Sequence, residues 1–135
     1  MIFNEHGVFK ISVEAKVLFI DATGPFNEES VKHYNKDLES CIVQLEASQW
    51  NQIVSFHKMS IFTPEAEGRL TETLIKRRSR GLIACAVILA DADFKSSVKE
   101  QLSRCYRSAE VEHQYFDSMA KAQQWIRGLD SSLTF

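Results

Sequence analysis

The side chains with chemistry to offer are four histidines, three cysteines and one run of basic residues. The histidines are His6, His33, His57 and His113, and no two lie within four residues of each other. Zinc sites are built from closely spaced ligand pairs, so the spacing predicts no metal site, and no cofactor is expected. Cys41, Cys85 and Cys105 are odd in number and contain no C-x-x-C pair. Each falls inside an apolar pattern, which predicts buried free thiols in a reducing compartment. His57 stands apart because it ends a predicted strand, at the edge where α/β folds bind ligands. Asp21 and Asp91 also fall at strand ends, so an enzyme site assembled from His57, Asp21 and Asp91 is one reading. A strand-end histidine in solvent or in a local hydrogen bond is the simpler one.

Phosphate-cradling and nucleophile motifs are absent from the sequence. The five glycines, Gly7, Gly24, Gly68, Gly81 and Gly128, are scattered, with no G-x-G-x-x-G, no G-x-x-x-x-G-K and no G-x-S-x-G. Lys76, Arg77, Arg78 and Arg80 form the dense basic cluster. At the end of a helix such cations complement exposed carbonyls and the helix dipole. They also make a candidate anion patch for an acidic partner or an anionic lipid surface. Phe26 and Phe62 sit in loops after strands, so a small apolar pocket between them is a second candidate, beside loop residues folding back on the core.

These residues need elements to hold them. Gly7 to Val13 alternates apolar and polar from Val8 onward, a strand with one wet face. Lys16 to Ala22, continuously apolar from Val17 to Ile20, is a strand covered on both sides, and the two pair as a hairpin. Asn27 caps a helix carrying Val31, Tyr34, Leu38, Cys41, Ile42 and Leu45 at helical spacing. Gln52 to His57 is the third strand. Thr63 and Pro64 open a second helix with Ala66, Leu70, Leu74 and Arg77 inward, closed by Gly81. Leu82 to Leu89 is the most apolar strand. Asp93 can cap a third helix, with Phe94, Val98, Leu102, Cys105 and Tyr106 on its core face. Val111 to Phe116 is the last strand. Asp117 or Ser118 caps a final helix facing inward through Met119, Ala122, Trp125, Ile126 and Leu129. The order ββαβαβαβα predicts one α/β domain over 1–135, a five-stranded, mostly parallel sheet with four helices.

Composition agrees with that class. Of 135 residues, 44% are hydrophobic and 25% charged, and the formal charge is -2, which suits a globular domain and argues against a nucleic-acid partner. No apolar run approaches the roughly 20 residues that span a bilayer. The first ten residues, with Asn4, Glu5 and His6, lack a signal pattern, so a cytoplasmic location is expected.

The element order resembles that of STAS domains, the anti-sigma-factor antagonist family, over Gly7 to Leu129. It looks most similar to the bacterial STAS-like branch, through Thr63-Pro64-Glu65-Ala66 after the third strand. In phosphorylatable members that loop reads roughly D-L-S-x-V-x-F-I-D-S-S-G. Here Phe56, Met59, Ile61 and Phe62 match its apolar positions. Thr63 stands where the family has Asp, and Pro64 and Glu65 stand where it has the two serines, one of them the phosphate acceptor. The resemblance therefore implies a non-enzymatic regulatory module without that serine. Such a module acts by protein contact, through His57, Lys58, Ser60, Thr63, Glu65 and Arg69. Separately, an aromatic-rich domain with an exposed first strand can pair at that edge or through its helices, which predicts a homodimer. The same branch is similar in architecture to CRAL-TRIO domains, which implies a carrier of small apolar or lipid-like ligands as the alternative.

Overall fold

The structure is a computed structural model and describes residues 8–130. Strands β1 (Val8–Glu14) and β2 (Val17–Thr23) form an antiparallel hairpin. β3 (Trp50–His57), β4 (Leu82–Ile88) and β5 (Glu112–Phe116) then add in parallel, giving the strand order β1-β2-β3-β4-β5. Helices α1 (Glu28–Leu45), α2 (Pro64–Ser79) and α3 (Lys95–Ala109) connect the parallel strands, and α4 (Met119–Leu129) ends the fold. Fold class and element order are those expected from the sequence.

The strand order decides where the helices lie. Each crossover moves one strand along in the same direction, and right-handed crossovers of that kind put α1, α2 and α3 on one face. α4 follows the edge strand and covers the other. The strand pleat divides side chains accordingly. Leu18, Val54 and Val87 pack against Leu38, Leu74 and Leu102 in the larger core. Their neighbours Val17, Ile53 and Ala86 pack against Ala122 and Ile126 in the smaller one.

Local chemistry explains most boundaries. Asn27 and Ser30 form a reciprocal capping box, Thr63 accepts from the Ala66 N–H at 3.1 Å, and Ser118 caps α4. β3 starts two residues before its expected start. Trp50 is fully buried there, with its indole N–H donating to the Arg80 carbonyl at 2.9 Å. Gly81 makes room for it: at φ 110°, its missing Cβ would lie 2.7 Å from the Ser48 carbonyl oxygen and 3.0 Å from the Trp50 ring.

Two expectations are corrected. Asp93 does not cap α3; the N-cap is Phe94, in the left-handed conformation at φ 52° and without a side-chain cap. That backbone turn swings Phe94 out of the core, so it is 61% exposed rather than on the helix's inner face. On α4 only Ala122 and Ile126 are buried, while Met119 and Leu129 are exposed, because the helix is narrow cover for the sheet and its ends overhang. Cys85 and Cys105 are buried free thiols, and Cys41 is half-buried. No helix among the described residues is long and apolar enough to cross a membrane.

Candidate functional site

The parallel register brings three titratable groups to the carboxyl edge of the sheet. Thr23 lies opposite His57, and Asp21 opposite Ser55. Residues two apart share a face, so Asp21 and His57 both project from the α4 side, beyond the end of that helix's cover. The His57 ring is held at both nitrogens: Nε2 lies 2.6 Å from the Asp21 carboxylate and Nδ1 2.8 Å from that of Asp91. With a carboxylate at each end of the ring, both nitrogens donate once it is protonated, so the geometry favours the imidazolium. The Asp21 hydrogen bond is the main cause of a raised proton affinity; partial desolvation opposes it and Asp91 reinforces it. The clamp ties β2, β3 and the turn after β4 together. Among the described residues no three His, Cys, Asp or Glu side chains are placed to hold a metal ion.

Beyond the clamp, two loops zip together. Lys58, at φ 55°, forms a single parallel bridge with Ala92; its N–H donates to the Asp91 carbonyl and its own carbonyl accepts from the Asp93 N–H, each at 2.8 Å. Met59, next to Lys58, is 47% exposed, and Phe94, two residues after Ala92, is 61% exposed. Asp91 and Asp93, both exposed, stand beside them.

Of the six residues expected at a partner-binding surface, His57, Lys58, Thr63, Glu65 and Arg69 reach solvent. Ser60 does not: it is fully buried, donating to the His57 carbonyl at 2.7 Å and accepting from the Gly24 N–H at 3.3 Å. It fastens the β3–α2 loop to the β2–α1 loop. Arg69 turns away from the edge to meet Glu28 of α1 at 3.4 Å and Glu72 at 3.5 Å.

The expected apolar pocket and anion patch also change. Phe26 and Phe62 are joined by a backbone bridge and their rings pack 4.7 Å apart in the core. Their own rings fill the space proposed between them. The apolar cavity that Phe62 lines with Phe9 and Phe56 measures about 20 Å³, room for roughly one water. In the basic cluster only Lys76 and Arg78 are exposed. Arg80 is held by Glu39 at 2.9 Å and Glu46 at 2.7 Å. Arg77 belongs to the core face of α2 and is buried, its guanidinium 5.0 Å from the Tyr34 ring centroid and donating to Gln52 Oε1 at 2.8 Å. From Gln52 a polar chain continues to Cys85 at 3.3 Å and on to the Tyr106 hydroxyl at 3.2 Å. Burial pushes the Cys85 thiol up to about 11 and raises Tyr34 and Tyr106 as well. This chain was not read from the sequence. Its one available signal was Gln52, a long polar side chain in step with Val54 and Phe56 on the strand's apolar face.

Comparison with known proteins extends the fold. No family model matches the chain, and no curated protein matches it. Among solved structures, an NMR structure of the protein TM1081 is similar, with a TM-score of 0.58, 14% identity and 94% of each chain covered. At that identity the likeness is one of fold alone.

Proposed function

We propose that this chain is a non-enzymatic, STAS-like regulatory module that acts by protein contact at the carboxyl edge of its sheet. The observation that carries the reading is the pair Met59 and Phe94. Two large apolar side chains stand in solvent in the two loops that a hydrogen-bonded bridge joins, each loop carrying a left-handed residue. Rigid, exposed anchors of this kind become binding hot spots once a partner buries them. Asp91 and Asp93 lie exposed in the same loop as Phe94, so the fitting partner is a protein with an apolar pocket flanked by basic side chains.

The state of His57 supports the non-enzymatic part. A general base needs one nitrogen turned to its substrate, whereas both nitrogens of His57 already face carboxylates. Thr63 spends its hydroxyl on the helix cap, and Glu65 places a fixed charge in the turn where the resembling family carries its serine. Site-specific photo-crosslinking tests the proposal. A crosslinker at position 94 or 59 is expected to capture one protein at near-stoichiometric yield, and one at Val43, exposed on α1, is expected to capture none. Equal capture from position 43, or none from 59 and 94, would overturn it.

A further inference from the structure

A second site lies away from the sheet edge, between α1 and α2. These helices enclose a half-open cleft of about 210 Å³, lined by Asn35 and Glu39 of α1 and by Arg69, Thr73, Lys76 and Arg77 of α2, among others. Its wall is polar in an unusual way. Arg77 is buried and gives one nitrogen to Gln52, yet its Nε and Nη2 have no acceptor. The Nε of Arg69 has none either, and Asn35 Oδ1 receives no donor. Asn35 is already oriented by its amide nitrogen, which donates to the Thr73 hydroxyl at 2.6 Å; that hydroxyl donates on to the Arg69 carbonyl at 2.9 Å. Buried side-chain polar atoms without a partner are rare and costly. Among the described residues there are five, and four of them belong to three residues of this one cleft.

The charges point the same way. Arg69 is compensated by Glu28 and Glu72, and Arg80 by Glu39 and Glu46. Glu39 and Glu72 are thereby occupied at the mouth of the cleft. Arg77 pairs with no carboxylate among the described residues; its neighbours are the Gln52 amide and Tyr34, whose ring it covers and whose neutral hydroxyl interacts with it but brings no compensating charge. A buried cation is ordinarily paired. Water can accept from its nitrogens but brings no compensating charge.

We propose that the cleft binds a small hydroxylated oxyanion, a phosphate or a hydroxy acid. Arg77 and Arg69 donate to its oxygens, and Asn35 Oδ1 accepts from its hydroxyl. The pairing uses every orphan atom: three donors for the anion and one acceptor that a fully ionised, hydroxyl-free anion would leave unmet. This site is independent of the proposed contact surface, and each can fail without the other.

Titration of the isotope-labelled protein at pH 7 and constant ionic strength tests the inference, with inorganic phosphate, sulfate, malate and succinate as probes and side-chain NMR signals of Arg77, Arg69 and Asn35 as the readout. Phosphate and malate are expected to give saturating shifts. Sulfate and succinate, which lack the hydroxyl, are expected to bind about tenfold more weakly, the ratio set by one unmet buried hydrogen bond. Arg77→Met should abolish saturation. Should that variant not fold, Arg69→Gln, expected to weaken phosphate, and Asn35→Ala, expected to erase the preference over sulfate, decide instead. Lys10→Gln, exposed on β1, should leave binding unchanged. Non-saturating shifts, or equal affinity for phosphate and sulfate in the natural protein, would overturn the proposal.

Discussion

The proton held between Asp21 and Asp91 couples the candidate site to the stability of the protein. In the unfolded chain a histidine titrates near pH 6.5, roughly its ordinary value. In the folded protein His57 holds its proton more tightly, chiefly through Asp21. The clamp's stabilisation is therefore fully present below about pH 6.5 and is lost as pH rises through the higher folded value. His113 shifts the other way, lowered mainly by burial, and serves as an internal comparison. In an NMR titration of the imidazoles, His57 should have its midpoint above that of His113. Asp21→Asn should lower the His57 midpoint more than Asp91→Asn does. His57→Gln should flatten the fall in Tm with rising pH; an unchanged slope would show that the clamp contributes nothing to folding. That these three residues meet was legible in the sequence, because parallel strands deliver their carboxyl ends to one edge. That both ring nitrogens are occupied was not, since it depends on the turn after β4. Arg77 was legible as a residue of the inner face of α2, yet its partner Gln52 lies on another element and no periodicity links the two.

Between elements, the two loops that frame the edge are held by very little material. The β2–α1 loop passes so close to the β3–α2 loop that a Cβ on Gly24 would lie 2.3 Å from the Met59 carbonyl oxygen and 2.7 Å from the Ser60 Cα. Backbone atoms cannot step aside as a side chain can, so Gly24→Ala should lower stability by roughly 1–3 kcal/mol, the usual range for overpacking. Ser60→Ala leaves the Gly24 N–H without its acceptor and should cost about 1–3 kcal/mol. Thr63→Ala removes the α2 cap for about 1 kcal/mol, and Thr63→Ser should recover most of it. Urea unfolding measures all four variants, and a Gly24→Ala protein as stable as the natural one would mean the loops are not in contact. The caps at Asn27 and Thr63 were legible because a side-chain oxygen before an apolar helical stripe has one evident use; at α4 the same rule offered Asp117 or Ser118, and Ser118 is the cap. The start of α3 was not. Phe94 falls in step with Val98 and Leu102, and periodicity cannot reveal that the backbone turns left-handed at that residue. The error bears on function, since it is that turn which exposes Phe94.

At the scale of the whole molecule, the sheet is covered unequally, and the inequality follows from its strand order. Three helices seal one face around the larger core, where Leu38, Leu74 and Leu102 are all essentially inaccessible. The other face has α4 alone, anchored by Ala122 and Ile126 with Phe116 and Trp125 partly buried beside them. Regions with few buried apolar contacts open locally at free energies below that of global unfolding. Leu74→Ala should therefore destabilise the protein as a unit, by about 2–5 kcal/mol as for other buried leucines. Ile126→Ala removes a comparable volume from a layer whose loss leaves the larger core intact. Native-state hydrogen exchange separates the two. In the Leu74→Ala protein, protection of β3, β4 and α2 amides should fall together. In the Ile126→Ala protein, α4 amides should lose most of their protection while those of β3 and α2 lose much less. If α4 and β3 lose protection in step in the Ile126→Ala protein, the two layers unfold as one cooperative unit, and the unequal cover has no energetic counterpart.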